Sequence, residues 1–174
     1  MFQIAPLRRQ DFEDLFSLDD DTLTGRGAKR CVADAKPGFP CRVSLADAEP
    51  GERVILLPFC HQPADSPYRA SGPIFVRESA ETVQVPADTV PALLRTRLLS
   101  LRAYDAHHLM IGADVIDGRE LERGLERLLE DARVDYLHVH FARAGCYACR
   151  VDRASPTRVR GGMPPAAAAA GDIL

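Results

Sequence analysis

The chain has 174 residues, enough for one domain whose core buries roughly 70% of the unfolded surface without help from a metal or disulfides. Lysine plus arginine number 22 against 25 acidic residues; the net charge of −3 excludes the basic balance of a general nucleic-acid binder, and 46% hydrophobic with 27% charged residues excludes a disordered chain. No apolar run approaches the ~20 residues of a membrane span, residues 1–9 lack the apolar core of a signal peptide, and five cysteines, an odd number, read as the reduced thiols of a cytoplasmic protein.

Phe2-Gln3-Ile4 predicts a short opening strand. Phe12, Leu15 and Phe16 stand at helical spacing within 10–18, and Asp19 to Leu23 start a second helical turn that ends near Gly25. Strands are expected at 29–33, 41–45 and 53–59. Pro58, Pro63, Pro67 and Pro73 then break the periodicity, so 58–73 reads as a long ordered loop before Ile74-Phe75-Val76 resumes a strand. Leu98–Tyr104 and Leu109–Ile116 form a hairpin across Asp105-Ala106-His107-His108.

Asp117 with Glu120 predicts a capping box, and Leu121, Leu125, Leu128, Leu129 and Ala132 continue the apolar stripe of one long amphipathic helix over about 118–131, between two hairpins. Arg119–Glu122, Arg123–Glu126 and Arg127–Glu130 are expected to pair along its solvent face. Strands at 134–142 and 146–152 complete an α+β domain, a mainly antiparallel β-sheet with a few helices. That domain spans 1–154. The Pro/Gly/Ala-rich segment 155–174 is expected to be a mobile tail.

The last hairpin is the most informative segment. A three-residue turn Arg143-Ala144-Gly145, with Gly145 in the left-handed position, places Leu137, Val139, Phe141, Tyr147, Cys149 and Val151 on the core face. Tyr136, His138, His140, Cys146, Ala148 and Arg150 then share the other. Cys146 and Cys149 point to opposite sides and make a poor chelating pair. His138 and His140, at i and i+2, project together and can ligate one divalent transition metal such as zinc. The plain alternative is a solvated strand face carrying two histidines, and a metal-free polar site stands between the two readings.

The irregular segments add His61, Tyr68, Arg69, Ser71 and Gly72 in 58–73. Arg69, Ser71 and the Gly72 amide form a candidate cradle for a carboxylate or phosphate. The competing expectation is an Arg69 that pairs with Asp65 or Glu78. The turn Lys36 to Pro40 delivers Cys41 and Arg42, the thiol beside a guanidinium being a candidate nucleophile and otherwise a small buried hydrophobe.

Three blocks carry a resemblance: Gly38-Phe39-Pro40-Cys41-Arg42-Val43-Ser44-Leu45; His61-Gln62-Pro63 through Ser66-Pro67-Tyr68-Arg69-Ala70-Ser71-Gly72-Pro73-Ile74-Phe75-Val76-Arg77; and Leu137-His138-Val139-His140 with Gly145-Cys146-Tyr147-Ala148. They resemble the bacterial domain-of-unknown-function 1203 family, over about residues 2–154. The resemblance implies no activity, but it ties the three segments together. An asparagine is usual in the family where Phe141 stands, and Cys60, Cys149, His107 and His108 are outside its pattern, which sets those four aside from any mechanism.

Two functions follow as expectations, against a third reading in which these residues are purely structural and the protein acts through a partner. The first is an enzyme acting on a small anionic substrate in a cleft of Cys41, His61, Arg69, His138, His140 and Cys146, with histidine as general acid/base or metal ligand and a thiolate nucleophile. The second is a non-catalytic module that binds a small anionic or peptide ligand through Arg42, Tyr68, Arg69, Ser71 and Gly72. Neither expects nucleic acid or a membrane as partner.

Overall fold

Apolar alternation along eight strands builds two antiparallel sheets in the computed structural model, which describes residues 1–154; the segment expected as a tail lies outside the described residues. In chain order come β1 (Phe2–Ala5), α1 (Glu13–Phe16), α2 (Asp20–Gly25), β2 (Lys29–Val32), β3 (Arg53–Gln62), β4 (Ala70–Arg77) and α3 (Ala92–Arg95). Then follow β5 (Leu98–Tyr104), β6 (Met110–Asp117), α4 (Leu121–Leu129), β7 (Tyr136–Phe141) and β8 (Tyr147–Arg153). One sheet has the order β1-β8-β7-β5-β6 and the other β2-β3-β4. The α+β, mainly antiparallel expectation holds. Among the described residues no helix is long and apolar enough to cross a membrane.

The main core lies between one face of the five-stranded sheet and α3–α4. Leu99, Leu101, Leu137, Val139, Cys149 and Val151 meet Leu94, Leu121 and Leu125 there. A second core packs Ile55, Leu57, Ile74 and Val76 of the smaller sheet against Phe12, Leu15 and Leu23.

Several expectations are corrected. Residues 41–45 are not a strand: Cys41 N–H turns back to the Ala46 carbonyl at 2.9 Å, Leu45 takes φ 46°, and the segment touches β4 by a single bridge, Cys41 to Phe75. Residues 58–73 are not a long loop, because β3 runs through Pro58 and β4 through Pro73, and only 63–69, with Pro63 and Pro67, connect them. Pro58 lies directly opposite Pro73. Two prolines facing each other cost no ladder bond at a non-hydrogen-bonded pair, where N–H groups point away from the partner. On the outer side β2 covers β3 only as far as Leu56, and β4 is an edge strand.

The helix is also shorter than expected. A 3-10 turn, Gly118–Glu120, leads into α4, which stops at Leu129. The Asp131 carboxylate accepts the Arg133 N–H at 2.9 Å, an Asx turn that competes with further helix. Asp117 caps the turn by accepting from Arg119 N, whereas the Glu120 carboxylate lies 3.8 Å from Arg123. The expected pairs along the helix do not form: Arg119 pairs with Asp117, Arg127 with Asp114 of β6, and Glu122 with Arg95 of α3. Loop carboxylates and neighbouring elements outcompete the helix's own acids.

Candidate metal centre

Alternate residues of β7 point to opposite faces. Leu137, Val139 and Phe141 lie opposite Ala103, Leu101 and Leu99 of β5 and enter the main core. Tyr136, His138 and His140 lie opposite Tyr104, Arg102 and Ser100 on the other face. All of β7 is buried, so that face is not solvated. The far end of the β3–β4 hairpin covers it.

Two bulges, one in each sheet, aim rings into this junction. The β3–β4 register shifts between Cys60 and Gln62, leaving His61 without a ladder partner. The β7–β8 register shifts between Val139 and His140, so that Tyr147 lies opposite His140 and Ala148 is the extra residue. A bulge bends its strand and redirects a side chain. The His61 ring centroid comes within 5.0 Å of His140 and 5.9 Å of His138, and Tyr147 stacks on His61 at 5.3 Å and 4°.

One ring nitrogen from each of His61, His138 and His140 lies within 4.8 Å of the other two. His61 Nδ1, His138 Nδ1 and His140 Nε2 are buried without a hydrogen-bond partner. His140 Nδ1 is 3.0 Å from the Gly145 carbonyl, which can only accept, so Nδ1 carries the proton and Nε2 keeps its lone pair. Burial pushes the pKa of His61 down to about 4, with the Arg102 charge adding to it. His138 falls to about 3 by burial, reinforced by its neighbouring imidazoles, and His140 to about 4, again by burial first. All three rings are neutral at pH 7.

Neutral, unpartnered and convergent imidazole nitrogens fit a divalent transition metal. Zinc–nitrogen bonds of about 2.0–2.1 Å set the nitrogens of a tetrahedral site roughly 3.3 Å apart, inside the 4.8 Å that bounds the observed spacing. The His140–Gly145 contact is the kind of outer hydrogen bond that orients a metal-binding imidazole. Beside the histidines, Gln62 Nε2 donates to the Tyr136 hydroxyl at 2.7 Å, and His108 Nδ1 lies 3.0 Å from the same oxygen. Tyr136 stacks on Tyr104 at 5.2 Å.

Other expected site residues lie elsewhere. Cys41 is buried in the second core with Sγ accepting the Arg77 N–H at 3.3 Å, and neither it nor Cys146 joins the histidine group. Phe141 N–H donates to the Cys146 carbonyl at 2.9 Å, which sets Cys146 opposite Phe141 and off the histidine face. Arg42 is 2% exposed and donates to the Tyr147 carbonyl at 2.8 Å and to the Pro40 carbonyl, with its guanidinium 5.1 Å over Phe141. It is a buried clamp; burial lowers its pKa to about 10. Arg69 is exposed, donating to the Pro63 carbonyl at 3.1 Å, and among the described residues it has no acidic partner. Ser71 and Gly72 are ladder residues opposite Cys60 and Phe59, so no loop assembles them with Arg69 into a cradle. Tyr68, 36% exposed, meets Tyr104 edge-on at 6.1 Å.

Gln62, Arg102 and Tyr104 entered no site expectation. For Arg102 and Tyr104 the strand parity was readable, but their pairing with His138 and Tyr136 depends on strand order.

The family model described as "Protein of unknown function (DUF1203)" matches residues 38–153, which include all three histidines. No curated protein and no solved structure matches the chain.

Proposed function

The chain belongs to the DUF1203 family, and from that footing we propose that it is a metal-dependent protein whose His61, His138 and His140 hold one divalent transition ion such as zinc. The observation that carries this reading is that one ring nitrogen from each of three neutral histidines lies within 4.8 Å of the other two, and that each of these rings also has a buried nitrogen without a hydrogen-bond partner. Leaving such groups without partners costs about 1–3 kcal/mol each, a cost that a bound ion removes. Among the described residues no cysteine or carboxylate completes the group. Three protein donors leave a coordination position for water or a small molecule, the arrangement of catalytic centres more than of structural ones.

On this reading the protein is an enzyme acting on a small molecule at that position. The ion would polarise a ligand oxygen or activate water. His140 is oriented by the Gly145 carbonyl, Tyr147 packs flat on His61, and the hairpin end keeps bulk water from the three nitrogens.

The test is elemental analysis of untagged protein, followed by reconstitution of the apoprotein with zinc, cobalt, nickel or ferrous ion. One equivalent of metal is expected in the native protein, and its loss in His138→Ala and His61→Ala variants that keep the native circular dichroism. Apoprotein that takes up none of these ions stoichiometrically would overturn the reading.

A further inference from the structure

Three neutral imidazoles leave the charge of a divalent ion uncompensated, so what surrounds the open position decides what binds there. His138 sits in a row across the sheet between Arg150 on β8 and Arg102 on β5, and directly opposed residues of neighbouring strands share a face. The Arg150 charge is engaged, its Nε donating to Asp152 at 2.7 Å and its guanidinium lying 3.8 Å over the Tyr136 ring. Arg102 is half-buried, and among the described residues it forms no ion pair with a carboxylate.

We propose that the ligand of the centre is a small oxyanion, a carboxylate or phosphate, with one oxygen on the metal and another on the Arg102 guanidinium. This rests on the metal centre proposed above. A half-buried guanidinium without a counter-ion, beside an ion without an anionic ligand, is a pair of positive charges that an oxyanion neutralises together. The two-pronged donor of arginine matches the oxygen pairs of both groups. The expected anion anchor at Arg69 is thereby replaced by one on the opposite sheet.

The experiment uses cobalt-loaded protein, whose visible spectrum responds to the fourth ligand, titrated separately with acetate and with inorganic phosphate. Saturable binding of at least one is expected, weakened roughly tenfold or more in Arg102→Gln, with one cobalt per chain retained. Arg102→Lys, which keeps the charge and loses the paired donors, should recover part of the affinity; a purely structural arginine would give no such graded order. The acetate and phosphate arms distinguish the two sources of oxyanion. If cobalt binds but neither anion does, or Arg102→Gln and Arg102→Lys both bind with wild-type affinity, the oxyanion assignment is wrong and the metal centre stands. Failure of cobalt itself to bind would remove both.

Discussion

Arg42 donates to two backbone carbonyls inside the protein, while Arg102, beside the histidines, has no carboxylate partner among the described residues. Residue type alone does not separate these employments; the place of each in the fold does, a buried turn for Arg42 and β5 for Arg102. Elsewhere charge works for stability alone. The Glu52 carboxylate accepts from Arg77 Nη2 at 2.6 Å, from the Glu49 N–H at 2.7 Å and from Ser79 Oγ at 2.9 Å, and the Arg77 bond first of all pulls its pKa from 4.5 to about 2. A depressed folded-state pKa means that the unfolded chain takes up the proton first. The stabilisation is therefore complete above about pH 4.5 and is lost as pH falls through about 2. Glu52→Gln should be less stable than wild type in urea unfolding at pH 7, and the gap should narrow by pH 3. An equal gap at both pH values would show that ionisation of Glu52 is not its source.

At the scale of elements, the turn that leads into α4 depends on Gly118. A Cβ there would lie 1.9 Å from the Leu94 carbonyl oxygen and 2.8 Å from that of Arg97, both backbone atoms that cannot step aside. Gly118→Ala is expected to cost at least about 2 kcal/mol in chemical denaturation, and a loss below half that would show that α3 can shift. The same scale shows what could be read from residues. Strand parity put His138 and His140 together and Cys149 in the core, as found. Gly145 does take the left-handed conformation, with φ 74°. The turn is nevertheless even: Gly145 N–H returns to the Phe141 carbonyl at 2.8 Å, and the bulge at Ala148 restores the expected pairing of His138 with Arg150. Tyr147 and Cys146 therefore exchange faces relative to the expectation. A bulge leaves no periodic mark, since it is chosen by the packing of a distant strand. The prolines of 58–73 misled for a related reason: they break a ladder only where a partner needs their N–H.

For the molecule as a whole, the two sheets meet where His61 of the smaller one faces His138 and His140 of the larger. That meeting requires a hairpin from the first half of the chain to dock on strands from the second, which no local sequence window specifies. An ion held by all three rings would bind the docked arrangement and not the unfolded chain, so it must raise the melting temperature. At a free metal concentration a hundredfold above Kd the gain is about 2.7 kcal/mol. At about 2–4 °C per kcal/mol for a domain of this size, the expected rise is roughly 5–10 °C. Differential scanning calorimetry of the apoprotein with and without zinc reads it directly, and a chelator should reverse it. His61→Ala severs the link from the smaller sheet and leaves both β7 histidines in place. It should keep a cooperative transition and lose most of the zinc-dependent rise. A variant with the full rise would show that the ion sits on the larger sheet alone, and the junction between the sheets would then owe nothing to metal.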